Sequence, residues 1–334
     1  NSFISTHSFD LRRLLAGGLF TLFYIPSLIE GGFSATWKAA SEGGKLFWFY
    51  PQFSLTMPFN IWMGLIGATF VVLSSHGAEQ LIVQRVLACK NVADGRKTLI
   101  LSAVLIFPLF LIFLLVGAFL WVYYQTHPMQ IPIPEIREGS GIKAYDYIYP
   151  IFMMTGVPHV IKGFLIVAIL AAAMSSVSSA LNALSSVSTM DFVKAMTGAK
   201  KSEDWYLRFS KVSTVFWGGA LIVVAYLSRE VPYVLNAAFS LRGLTSGALL
   251  GGLALVLFWR KGPALPILVG MIGSLIAMIF ITRFEWVVSR APVVETAKIA
   301  WPWFTLIGMM ITLGLAWAVR ALIKPRLDTP VTAD

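Results

Sequence analysis

The chain has 334 residues, 57% of them apolar and only 13% charged, a balance that ordinary soluble domains of this length do not show. Its formal charge is +10, and it holds one cysteine and four scattered histidines. This excludes a disulfide framework and a thiolate metal site, and gives no sign of metal catalysis.

Runs of about 18 or more mostly apolar residues, the length that a hydrocarbon core of roughly 30 Å demands, lie near 12–29, 57–84, 98–124, 160–188, 210–228, 232–259, 263–282 and 301–322. Eight such spans predict an all-α polytopic membrane protein. When the spans alternate across the bilayer, sixteen of the 26 Lys and Arg fall in one set of connections and nine in the other, with Arg242 left inside a span. The basic excess therefore marks a cytoplasmic side, with both ends of the chain on it, and not a nucleic-acid partner. The opening NSFISTHSFDLRR has neither the apolar core nor the cleavage site of a signal peptide. It begins with Asn1, not Met, so residues are expected upstream.

The second span is too long for a simple crossing. Apolar character runs from Met57 through Leu87 around the cluster LSSHGAEQ, and a helix of that length overshoots the bilayer by about half. One reading is a break near Ser74 to Gly77, where Gly77 tolerates non-helical backbone and polar neighbours satisfy freed amides. The other is a helix that projects as an amphipathic stretch ending at Lys90. Further on, the polar connection from Gln125 to His159, rich in proline and aromatic residues, reads as a short outer helix or lid. The charge-alternating FVKAMTGAKKSEDWYLRFSK reads as a solvated linker.

The fourth span ends in AAAMSSVSSALNALSSVST, Ala171 to Thr189, with eight hydroxyls in nineteen residues. Ser175, Ser178, Ser179, Asn182, Ser185, Ser186 and Thr189 follow spacings of three and four, which makes one polar stripe on an otherwise apolar helix. Ser176 sits about 100° to the side of Ser175. Such a stripe faces protein or water. Close helix packing through small residues explains it in structural terms. In functional terms, the stripe offers only neutral oxygen, which suits a hard cation that must be held weakly and then released. Arg242 lies ten residues into the sixth span, roughly 15 Å along the helix from Pro232. It reads either as a partner for an anionic solute or as a side chain that snorkels or pairs with Glu230 or a loop carboxylate.

Four stretches together resemble the sodium:solute symporter family: ILAAAMSSVSSALNALSSVSTMDF, HGAEQLIVQRVLACKN, LNAAFSLRGLTSGALLGGLALVLFWRKG and IAWPWFTLIG. The resemblance implies a leucine-transporter-type inverted-repeat fold with ligand sites near the bilayer midplane. On that reading the second repeat is complete and the first is largely missing, with residues 1–323 forming the transporter domain and 324–334 a short cytoplasmic tail. The resemblance also implies a sodium site built from the Ala172 carbonyl and the Ser175 and Ser176 hydroxyls, whose other half is expected upstream of Asn1. A second sodium site at Ser178 and Ser179 has an aspartate partner in some relatives, but STHSFDLRRLL places none in register; Asp10 is shifted. Ser75, His76, Glu79 and Gln80 fall at the family's broken helix as substrate or gate candidates, joined by Arg242.

The expected function is sodium-coupled symport of a small organic solute, a sugar or an organic anion, in a bacterial inner membrane. Sodium is the coupling ion; no cofactor, nucleic-acid partner or enzyme activity is expected, since no acid, base and nucleophile stand together. The alternatives are a non-transporting sensor with the same fold, or an inactive fragment. Intact-mass measurement of the polypeptide as its own cell makes it separates these: a symporter requires a mass above the 36.7 kDa of this chain by roughly 15 to 20 kDa. Equality would favour the sensor or fragment.

Overall fold

A computed structural model of the chain describes residues 2–136, 143–231, 233–259, 263–284, 286–290 and 293–323. The tail assigned to 324–334 lies outside the described residues, as do Arg137, Arg260, Lys261, Lys324 and Arg326 of the charge count.

The chain is helical almost throughout. Helices α1 (Ser2–Ser27) and α2 (Gly32–Glu42) are followed by a π-helical turn, Met63–Gly67, that runs into α3 (Ala68–Ala78). Next come α4 (Gln80–Leu87), α5 (Val92–Thr126), α6 (Ile148–Thr155) and α7 (His159–Ser186), the last continuing as a π-helical segment to Lys194. The series ends with α8 (Glu203–Leu227), α9 (Val234–Phe258), α10 (Leu265–Arg283) and α11 (Phe304–Leu322). Between α10 and α11 lies an antiparallel hairpin of β1 (Trp286–Arg290) and β2 (Val293–Ala297), with Trp286 opposite Ala297. Its β-branched valines explain the strands, which the span pattern did not predict.

Of the eight expected spans, six stand as single helices long and apolar enough to cross a bilayer: α5, α7 with its π-helical extension, α8, α9, α10 and α11 with the turn before it. The first is instead part of a bent pair, Leu15–Ser27 and Gly32–Glu42, at 92°. Gly31 and Gly32 make that corner with φ of 85° and 62°, which residues with a Cβ seldom adopt. The second span is interrupted, and its Met63–Ala78 part is too short to count as a crossing. The break falls at Glu79, whose φ of −82° and ψ of 120° are extended, not at Ser74 to Gly77. Gly77 stays helical, and a Cβ there would stand 3.4 Å from Leu253, an ordinary contact.

Two compact units emerge. The first comprises residues 1–48 and 84–234. Its core joins Leu22 and Ile25 of α1, Val116, Phe119 and Leu120 of α5, Phe152 and Met153 of α6, and Leu165 of α7. Phe33 packs edge-on against Phe119, with centroids 5.5 Å apart. Thr21 donates to the Gly17 carbonyl at 2.7 Å and shares a hydrogen bond with the Tyr149 hydroxyl at 3.2 Å. Burial raises the pKa of that tyrosine above its ordinary value, and the Thr21 bond partly offsets the rise.

The second unit comprises residues 49–83 and 235–334. Its helices meet along small residues four apart: Gly243, Gly247 and Gly251 on α9, Gly308, Thr312 and Ala316 on α11, and Gly270 and Ser274 on α10. A Cβ on Gly247 would lie 2.7 Å from the Gly308 Cα, so the two backbones touch. A hydroxyl fastens the same seam: Ser274 of α10 donates to the Gly308 carbonyl of α11 at 2.8 Å, and that carbonyl also accepts the back-bond of Thr312 within α11 at 2.8 Å. Ser246 Oγ and Thr305 Oγ1 stand 2.7 Å apart, and Ser74 of α3 donates to the Ser246 carbonyl at 3.0 Å. In lipid, where apolar burial gives no preference for helix over tail, such close approach and interhelical bonding drive association.

Gly247→Ala therefore places a methyl group against backbone and should destabilise the protein by roughly 1–3 kcal/mol. Gly219→Ala on α8, where no neighbour lies within 4 Å, should leave the thermal midpoint level or slightly raised. Thermal unfolding of both variants in detergent checks the contrast, and equal midpoints would refute the seam.

Candidate functional site

The hydroxyl stripe on α7 divides into two parts. Its C-terminal part is structural: Ser185 Oγ donates to the Ser210 carbonyl at 2.8 Å and lies 2.9 Å from the Ser210 hydroxyl, while Trp217 Nε1 donates to Ser188 Oγ at 2.9 Å. Thr189 bonds back to the Ser185 carbonyl at 2.8 Å. These bonds fasten α7 to α8, and for this part the packing explanation holds.

The N-terminal part differs. Ala172 and Ser175 are half-buried, Ser176 and Ser178 are exposed, and Ser179 is buried. Ser179 Oγ donates to the Ser175 carbonyl at 3.0 Å, the four-residue back-bond that serines make in helices. The Ser176 and Ser178 hydroxyls lie at the surface of an apolar helix.

In the second unit the break after α3 gathers charge. Glu79 starts α4 by accepting from the Ile82 and Val83 amides at 3.1 and 3.0 Å. Its carboxylate Oε1 accepts from Arg242 Nε at 2.6 Å, with the two side chains only 28% and 30% exposed. So Arg242 pairs with a carboxylate outside the helices, at the break, and not with Glu230, which pairs with Arg229 at 3.4 Å. The other candidates at the break do not join this pair. Ser75 is buried on α3, His76 Nδ1 bonds the Val72 carbonyl at 3.1 Å, and Gln80 is exposed.

Arg242 has neighbours that sequence reasoning missed. Phe239, one turn earlier on α9, stacks on Trp301 with centroids 4.6 Å apart and planes 14° from parallel. Trp301 lines a cleft of about 580 Å³ together with Thr56, Asn236, Ser240, Thr282 and Lys298. The signal was present in IAWPWFTLIG, but it served there only as a mark of resemblance. No group of three or more His, Cys, Asp and Glu among the described residues stands ready for a metal ion. The residues gathered here offer hydrogen-bond donors, hydroxyl oxygens and the paired Glu79 carboxylate.

An interrupted helix with a half-buried ion pair at its break, among helices of membrane length, marks a polytopic helical membrane protein. The chain belongs to the sodium:solute symporter family, whose model matches residues 50–274. It is 29% identical over 273 residues to the sodium/sialic acid symporter of Proteus mirabilis, covering 80% of this chain and 53% of that protein. It is 25% identical over 268 residues to the sodium-dependent multivitamin transporter of Oryctolagus cuniculus, covering 79% and 41%. A solved structure of a sodium-coupled sialic acid symporter, substrate-bound and outward-open, is similar with a TM-score of 0.74 and 26% identity, over 97% of this chain and 63% of that one. The chain thus spans about half the length of the curated relatives it matches.

Glu79→Gln or Arg242→Gln alone leaves one partly buried charge without its partner. A double-mutant cycle on thermal stability should return a coupling on the order of 1–2 kcal/mol, with the double variant no worse than the poorer single one. Simple additivity would mean that the pair holds nothing.

Proposed function

We propose that this chain forms part of a sodium-driven symporter for a small organic solute, with sugar acids and other organic anions as the favoured class. The observation that carries the reading is the Ala172, Ser175 and Ser176 group, neutral oxygen on a helix inside the stretch matched by the family model. The Ala172 carbonyl and the Ser175 and Ser176 hydroxyls would replace part of the hydration shell of sodium without a fixed negative charge to trap it. A second ion would use Ser178 and Ser179, the Ser179 hydroxyl also donating to the Ser175 carbonyl at 3.0 Å.

The solute would be held at the break between α3 and α4, where Glu79 fixes one edge of the Arg242 guanidinium. Relatives that carry sialic acid, a carboxylate sugar, support this class. The driving energy comes from outside: a membrane potential of 100 mV supplies about 2.3 kcal/mol per sodium ion, and its concentration gradient adds to that. The excess of Lys and Arg on one set of connections supports a bacterial inner membrane with both chain ends in the cytoplasm.

Sodium-dependent uptake of sialic acid into proteoliposomes, using the protein isolated from its native membrane, tests this. Ser176→Ala should raise the sodium concentration for half-maximal uptake by roughly tenfold or more, one lost ligand oxygen, while leaving the thermal midpoint unchanged. Uptake with unaltered sodium dependence would remove the assignment.

A further inference from the structure

The cleft that Trp301 lines opens at one end of the second unit. Asn236 and Ser240 lie on the first two turns of α9, Thr282 on the last turn of α10, and Lys298 and Trp301 just ahead of α11. These are the ends of three helices of membrane length, the level at which hydrocarbon gives way to headgroups.

Part of the lining is unmatched. Among the described residues, neither the Asn236 amide nor the Ser240 hydroxyl, one turn apart and half-buried, makes a hydrogen bond, and Trp301 Nε1 is buried without an acceptor. Such groups around a space of about 580 Å³ call for an occupant rich in oxygen. Lys298 is exposed and brings a positive charge to the rim, and among the described residues no carboxylate lines the space. A phosphate is therefore met, whereas a headgroup with an ammonium of its own finds no partner for it.

The apolar counterpart begins at Thr282. Leu268, Ile272, Leu275, Ile279 and Thr282 follow spacings of four and three and so share one face of α10. Leu268, Ile272 and Ile279 are exposed and Leu275 is half-buried. From Leu268 to Thr282 the stripe runs roughly 21 Å, against about 15 Å for half of the hydrocarbon core, so it can accompany an acyl chain through its whole leaflet. Polar cleft and apolar stripe meet at Thr282, which belongs to both.

We propose that this cleft holds the headgroup of an anionic glycerophospholipid, with its phosphate at Lys298, its glycerol and ester oxygens at Asn236 and Ser240, and one acyl chain along the α10 stripe. The lipid is a bound component and not a transported one. It ties α9 to the end of α10 and to the turn before α11, and so braces the second unit where the hairpin joins these two helices.

Native mass spectrometry of the full-length protein, delipidated in detergent and titrated with phosphatidylglycerol, phosphatidylethanolamine or diacylglycerol, tests the site. Phosphatidylglycerol should include one saturable molecule per chain and raise the thermal midpoint, with the other two lipids at least tenfold weaker at that site. Lys298→Gln should weaken this molecule by about tenfold to a hundredfold, the worth of a charge-assisted hydrogen bond, and Asn236→Leu severalfold. Lys211→Gln, on α8 in the first unit, should leave it in place. If Asn236→Leu fails to fold, Ser240→Ala reports the same loss with a smaller change. Equal affinity for diacylglycerol or phosphatidylethanolamine would overturn the site, as would phosphatidylglycerol binding indifferent to Lys298→Gln and to the α9 variants, which marks annular lipid only. Displacement of the bound lipid by glycerol 3-phosphate would also overturn it and assign the cleft to a soluble phosphate ester.

Discussion

A bilayer interior offers no water to accept or donate a hydrogen bond, and the architecture of this chain follows from that constraint. Backbone groups are met within helices almost everywhere. Where the helix is broken at Glu79, the next turn begins on the carbonyl of that same residue, so the interruption leaves its backbone largely satisfied. The side chain at the break then has to be compensated as well, and Arg242 does this from α9.

The same constraint explains why small and hydroxylated residues carry so much of the packing. Ser185 with Ser210, Ser246 with Thr305, and Ser274 with the Gly308 carbonyl are each a polar group met by another helix. Each contact needs the backbones close, and for the last two, in the second unit, glycines such as Gly247 and Gly308 allow that approach. Against this background an unmet donor stands out. Among the described residues, the buried polar side-chain atoms without a partner are Tyr124 OH, Arg242 Nη2 and Trp301 Nε1, and the last two belong to side chains that line one narrow void of the second unit.

Spacing in the sequence carried some of these features further than others. The hydroxyl stripe on α7 was legible as a stripe, because a period of 3.6 residues is a property of the helix itself. Which of its hydroxyls pack and which stay exposed was not, since that depends on where α8 passes. The interruption of the second span was legible from length, yet its position was misread. Gly77 looked like the weak point, but the residue that leaves the helix is the one whose side chain has a distant partner, 163 positions away.

Composition, apolar run length and the distribution of Lys and Arg by themselves determined a helical membrane protein with several spans and a second one too long for a simple crossing, and four motifs pointed to its family. These are local quantities, set by residue type and by distances along one helix. The tertiary structure alone decided that Glu79 and Arg242 form a pair, that Phe239 stacks on Trp301, and that glycines on α9 meet α11. Those facts require segments far apart in the chain to come within hydrogen-bond or van der Waals distance, which no period along a single helix encodes.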